Sequence, residues 1–79
     1  MTTLTARPRL NPRKLLHSKW TAVLPERREK HFIVIECVEP EEAGGVIESI
    51  VLEAVHSRRI RVLPWRQLQD PTVWMQGWK

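Results

Sequence analysis

The residues whose chemistry goes beyond packing are three histidines, one cysteine and a set of clustered arginines. Metal capture needs several ligands a few residues apart or on facing strands, as in paired Cys-x-x-Cys, whereas His17, His31, His56 and Cys37 occur singly. No metal site is therefore expected, and the histidines read as solvent-edge or capping residues. Cys37 lies within an apolar run, where a thiolate would be desolvated, so a Cys–His nucleophilic pair has no support. With neither a catalytic nor a cofactor signature, the chain is expected not to be an enzyme and to carry no cofactor.

His56-Ser57-Arg58-Arg59, with Arg61 beyond it, is the strongest candidate for function. A hairpin tip with free backbone amides, a hydroxyl and two guanidiniums suits a phosphate or carboxylate through bidentate bonds. The plainer alternative is a solvated turn whose arginines pair with Glu53 or with the acidic loop that precedes it. Lys19, Arg59 and Arg61, together with His17, point outward if strand parity is read from the apolar residues. Should the first and fourth strands lie close, these residues join into one basic surface, to which Arg7, Arg9 and Arg13 can add. Such a surface beside an exposed aromatic binds single-stranded nucleic acid by charge and stacking; otherwise it is a solvated face.

Charge is partitioned along the chain. Residues 1–25 hold five bases and no acid, residues 26–57 hold eight acids and three bases, and residues 58–79 hold five bases and Asp70, for a net +4. Basic ends around an acidic middle suggest termini that share a basic face or contact a polyanion. The length of 79 residues allows one domain, close to the size at which a core still suffices without staples. A single cysteine excludes an internal disulfide and fits a reducing compartment. No apolar leader and no membrane-length apolar stretch occurs, so a soluble, cytoplasmic protein without membrane contact is expected.

The elements that must position these residues are mostly strands. Residues 1–12 mix Thr, Pro and Arg without period and read as a flexible basic arm; residues 13–79 form the domain. Leu16 to Leu24 alternates, with Trp20 inward and Ser18 the one polar residue on that face, and Pro25 is expected to stop the strand. Glu26-Arg27-Arg28-Glu29-Lys30 is a charged connection. His31 to Val38 is the second strand, 39–45 a Pro- and Gly-marked loop, and Val46 to Val55 a third strand with a bend or bulge near Glu48 and Ser49. Arg59 to Leu63 is the fourth, with Ile60 and Val62 expected inward. The tip between the third and fourth strands lacks glycine, which predicts a type I-based loop rather than a two-residue primed turn.

Pro64 followed by Trp65-Arg66-Gln67-Leu68 predicts one helical turn, and Asp70-Pro71 a second that Gly77 ends. Strands apolar on both parities in so short a chain point to strong curvature. The predicted fold is mainly β: a four-stranded, strongly bent antiparallel sheet or SH3-like barrel, with one or two short C-terminal helical turns. Trp20, Phe32, Trp65, Leu68 and Trp74 are its candidate core, and Trp78 is the aromatic most available for stacking or partner contact.

The segments Arg13-Lys14-Leu15-Leu16-His17-Ser18-Lys19-Trp20, Arg28-Glu29-Lys30-His31-Phe32, Leu52-Glu53-Ala54-Val55-His56-Ser57-Arg58-Arg59 and Leu63-Pro64-Trp65-Arg66, with Asp70, Trp74, Gly77 and Trp78, resemble a small Trp-rich family of bacterial proteins of unknown function. The resemblance runs from Arg13 to the C-terminus. It implies a short cytosolic protein, with photosynthetic bacteria among its hosts and recurring tryptophans that match Trp20, Trp65, Trp74 and Trp78. It implies no catalytic or ligand-binding residue. From the residues themselves, the leading expectation is a non-enzymatic module that binds RNA or a ribonucleoprotein through Lys19, His56, Ser57, Arg58, Arg59 and Arg61, with Trp78 stacking. The alternative is a protein-interaction or regulatory adaptor that uses the Trp-rich tail.

Overall fold

The computed structural model describes residues 11–79. The first ten residues of the expected basic arm, with Arg7 and Arg9, lie outside the described residues. Five antiparallel strands form one open sheet in the order β4-β3-β2-β1-β5, where β1 is Lys19–Glu26, β2 Glu29–Cys37, β3 Ser49–Ala54, β4 Ile60–Pro64 and β5 Trp74–Gln76. The described residues contain no α-helix, only 3-10 turns at Pro12–Leu15 and Trp65–Gln69. No helix among them is long and apolar enough to cross a membrane.

One face of the sheet carries the core. Cross-strand pairs set Trp20 against Phe32, Phe32 against Ala54, Val34 against Leu52 and Ile50 against Leu63, and residues paired across a sheet share a face. Leu15, Ile47, Trp65, Leu68 and Trp74 close over that face. Trp65, Leu68 and Trp74 therefore complete the core together with Trp20 and Phe32, all of them buried. Two of the three buried indoles pair their single donor within the fold: Trp20 Nε1 donates to Ser18 Oγ at 2.8 Å, and Trp65 Nε1 donates to the Ile47 carbonyl at 2.9 Å. Ser18, the polar residue of the inner parity, is thus the acceptor that lets Trp20 be buried.

Four features differ from the sequence expectation. The mainly β antiparallel architecture is the expected one, in its open-sheet form and not the SH3-like barrel; the first difference is that the strands number five rather than four. Asp70-Pro71 does start a tight turn: Asp70 accepts the Thr72 N–H and hydroxyl, and its carbonyl accepts the N–H groups of Val73 and Trp74. The chain then extends along β1 as β5 instead of winding into a second helical turn, and Gly77, at φ +85°, ends that strand.

Second, Pro25 lies inside β1, in the stretch between Thr21 and Glu26 where the β1–β2 register shifts, so no ladder donor is missed. Third, the bulge sits in β2 between Val34 and Glu36, not near Glu48 and Ser49. Fourth, the faces of β4 are reversed. Leu63 and Arg61 are on the core side, while Ile60 and Val62 are 59 % and 64 % exposed on the other. Burying Leu63 against Ile50 fixes that choice, because strand parity flips as a unit.

Cys37 packs against the core, and its Sγ donates to the Pro12 carbonyl at 3.2 Å. Burial pushes the thiol up, outweighing the opposing effect of Arg13.

Candidate nucleic-acid interface

The two hairpin tips, β1–β2 and β3–β4, meet at one end of the sheet because β2 and β3 run antiparallel. Phe32 near the start of β2 pairs with Ala54 at the end of β3, and the Val55 N–H donates to the His31 carbonyl at 2.9 Å. The link between the tips is Glu29, only 8 % exposed. Its carboxylate accepts the Ser57 hydroxyl and faces Arg59 Nε at 3.5 Å. The carboxylate that Arg59 pairs with is thus Glu29, not Glu53 or the acidic loop. Ser57 Oγ also accepts the Arg59 N–H at 3.2 Å, so one hydroxyl ties the tip to itself and to its neighbour.

Each tip is bent through the left-handed region. Glu26 pairs with Glu29, leaving a two-residue loop of Arg27 and Arg28 at φ +54° and +63°. Positive φ at both central residues is what a type I′ turn requires, a geometry that favours Asn-Gly. Here two arginines hold it. The second tip is longer, as its lack of glycine suggests. Arg58, at φ +66°, donates its N–H to the Ala54 carbonyl at 2.8 Å, and the Ala54 N–H donates to the Arg59 carbonyl at 2.9 Å.

The result is an end that presents Arg27, Arg28, Lys30, Arg58, Arg59 and Arg61, with Glu26 and Glu29 interspersed and Glu53 a step further along β3. On the core side, Arg27, Arg59 and Arg61 line a cleft of about 270 Å³ with Phe32 at its floor. The Arg61 guanidinium lies 5.8 Å from the Phe32 ring centroid and 5.7 Å from that of Trp74, attracted by two ring faces. On the opposite side, Arg28, Lys30, His31 and His56 line a shallow depression of about 610 Å³. Cations on both faces and along the ridge suit a polyanion chain passing over the end. They do not suit a small ligand held in an enclosed pocket.

The sequence-predicted residues divide between two places. His56, Ser57, Arg58, Arg59 and Arg61 share the hairpin end. Lys19 does not join Arg59 and Arg61, because β1 and β4 are separated by β2 and β3. Instead its Nζ lies 4.7 Å from the Trp78 ring centroid on the face opposite the core. Trp78, 44 % exposed, is held there by a 3.0 Å bond from Nε1 to the Phe32 carbonyl and by His31, whose ring centroid is 5.8 Å away. Thr21, fully buried, anchors the same segment: its hydroxyl donates to the Gly77 carbonyl and accepts the Lys79 N–H. His31 touches Trp78 and also lines the depression of Arg28 and His56, so the aromatic is continuous with the basic end.

Arg27, Arg28 and Lys30, which the sequence places in a charged connection, also lie at this end. Their alternation with Glu26 and Glu29 disguised them; the signal that places them is the antiparallel pairing of β2 with β3. β5 brings Trp78 and Lys79 against β1 near Lys19, so the two ends of the domain do adjoin, but other terminal bases are neutralised elsewhere: Arg13 pairs with Glu39 and Arg66 with Glu48, each at 3.2 Å. Those pairs sit at the far end, where a hollow of about 340 Å³ is lined by Glu39, Glu41, Glu42 and Glu48. The sheet is therefore polar end to end, basic at the hairpin tips and acidic at the β2–β3 loop.

Neither the curated proteins nor the solved structures contain a match to this chain. Residues 18–79, which carry all four tryptophans and both hairpin tips, match one family model, and the chain accordingly belongs to the family described as Tryptophan-rich protein (DUF2389).

Proposed function

We propose that this domain is a non-enzymatic module that binds single-stranded RNA, alone or within a ribonucleoprotein, by taking the phosphate backbone over its two-hairpin basic end. The observation that carries the reading is the convergence of six cations from two separate hairpins at one edge of a thin sheet, tied together by the buried carboxylate of Glu29. Electrostatic binding of this kind needs several phosphate contacts and no deep pocket, and the salt dependence of affinity counts those contacts. Trp78 supplies a half-exposed ring next to His31, within reach of a base from a strand lying in the Arg28 and His56 depression.

The test is a titration with short single-stranded and structured RNAs, read by intrinsic tryptophan fluorescence at low and near-physiological salt. Saturable quenching that weakens as salt rises is expected. Neutralising Arg58, Arg59 and Arg61 together should lower the log–log salt slope by roughly 2, at about 0.7 per single-strand phosphate contact. Unchanged binding and slope in that variant would move the interface elsewhere. An adaptor function based on the tail, the second reading, would rest on Trp78, since Trp65 and Trp74 belong to the core.

A further inference from the structure

The outer edge of β4 is a free strand edge, and its hydrogen-bonding phase is fixed. The Ala54 N–H donates to the Arg59 carbonyl and the Trp65 N–H to the Glu48 carbonyl, so Arg59, Arg61, Leu63 and Trp65 turn their backbone polar groups toward β3. Ile60 and Val62 consequently turn their N–H and C=O groups outward, as does the Pro64 carbonyl. Among the described residues no element pairs with that side. Edges are commonly protected by being short, bulged or covered, by Pro, or by charged side chains. β4 is short and has Pro64 at its end and Arg61 on its core side, but Ile60 and Val62, which carry the free amides, present exposed apolar side chains on the other.

We propose that the β4 edge receives an extended segment of a partner protein in which apolar and acidic residues alternate. An added strand continues the sheet's two faces. On the side away from the core, its side chains lie beside Ile60 and Val62 and are apolar. On the core side they lie beside Arg61, with Arg59 next along the strand, and are acidic.

The same geometry disfavours two other occupants. A second copy of β4 paired antiparallel about Val62 sets Arg61 diagonal to its own counterpart, and the Pro64 nitrogen has no hydrogen to give. Residues 1–10 of this chain hold two arginines and no acid, so they lack the complementary charge. Edge addition rests on backbone groups that phosphate binding at the tips does not use, so it survives failure of the RNA reading, although both call on Arg59 and Arg61.

The probe is a short capped peptide of alternating valine and glutamate, titrated into the isotope-labelled full-length protein and followed by amide NMR. Shifts centred on Ile60, Arg61 and Val62 are expected, with solvent exchange of the Ile60 and Val62 amides slowed about tenfold or more once they are bonded. Val62→Pro deletes an outward N–H and no internal ladder bond, so it should keep the thermal transition and RNA binding while weakening the peptide about tenfold or more. A valine–lysine peptide should bind at least about tenfold more weakly than the glutamate one. Absence of shifts at β4 with millimolar peptide overturns the proposal, as does equal binding of the lysine peptide or full binding by Val62→Pro. Self-association in sedimentation that Val62→Pro abolishes would assign the edge to a second copy instead.

Discussion

The Arg27-Arg28 turn makes a sharp test, because the same two residues are expected to cost stability and to supply binding. Both sit at positive φ, +54° and +63°, where an L-residue with a Cβ pays about 1–2 kcal/mol. Replacing them by the pair that a type I′ turn favours, Arg27→Asn with Arg28→Gly, relieves most of that strain. The glycine returns about 0.5–1 kcal/mol through the larger entropy of the unfolded chain. A net stabilisation of about 1–3 kcal/mol follows, which for a domain of this size raises the melting temperature by roughly 5–20 °C.

Removing two cations from a basic end also relieves repulsion, so a second variant, Arg27→Gln with Arg28→Gln, removes the charges while keeping the strained backbone. Thermal denaturation near 0.15 M salt, where exposed charges are screened beyond about 8 Å, should separate the two. The Asn-Gly variant is expected to be the more stable by the strain alone, and both should lose RNA affinity to a similar extent. If the glutamine pair stabilises as much as Asn-Gly, charge rather than backbone is the source. If Asn-Gly binds RNA like the parent, the first hairpin is not part of the interface.

Glu29→Ala removes the shared acceptor of the Ser57 hydroxyl and Arg59; because both of those partners are open to water, it should cost about 0.5–1.5 kcal/mol in urea denaturation. Ser57→Ala in that background should add little, since the two residues act as one unit. Trp74→Ala removes a buried ring in edge-on contact with Phe32 at 5.2 Å and should cost about 3–5 kcal/mol; likewise a chain ending at Pro64 should lose its cooperative melt, and a retained transition in that chain would contradict the architecture. Asp70 has its carboxyl held below the usual range by the hydrogen bonds from Thr72. A depressed folded-state value means the contribution is present above the ordinary carboxylate pKa and is lost as pH falls through the folded one. Between about pH 5 and pH 2, the parent should therefore lose this increment of thermal stability while Asp70→Asn, which keeps the acceptor oxygen, does not.

Four of the five strands were legible because their residue types and alternation announce them, and the second tip was legible from its polar composition alone. What escaped has particular causes. β5 spans three residues between Pro71 and Gly77, too few for a period, and its partner is β1, some fifty residues upstream. The capping signals of Asp70 and Pro71 were real but start a turn, because extending along β1 buries Trp74 against Phe32 and offers the Gly77 N–H to the Lys19 carbonyl. In β4 the apolar pair Ile60 and Val62 outvotes Leu63 in any count by parity, yet the pairing of Leu63 with the fully buried Ile50 and the burial of Trp65 just beyond it decide the face. Arg27 and Arg28 read as solvated because nothing local reveals that antiparallel pairing returns the chain to the same end after β3.

Charge patterning was visible as acidic and basic segments, but its meaning lies in where the sheet sends them. A molecule about 16 Å thin, with its core on one face, has little surface on which to separate opposing charges except its two ends. The β2–β3 loop collects Glu39, Glu41, Glu42 and Glu48 at one, and the 3-10 turns bring Arg13 and Arg66 there as partial neutralisers. At the hairpin end Glu26 and Glu29 are the acids among the cations, and Glu29 acts from a buried position that orients Arg59 rather than masking the remaining cations. A polyanion approaching such a dipole is drawn to one end and repelled from the other, so the sheet meets it tips first. The β4 edge starts at that same end, where Arg59 and Arg61 serve both proposed contacts. An acidic segment added to the edge therefore competes with RNA for those two guanidiniums, and the two contacts are expected to weaken each other.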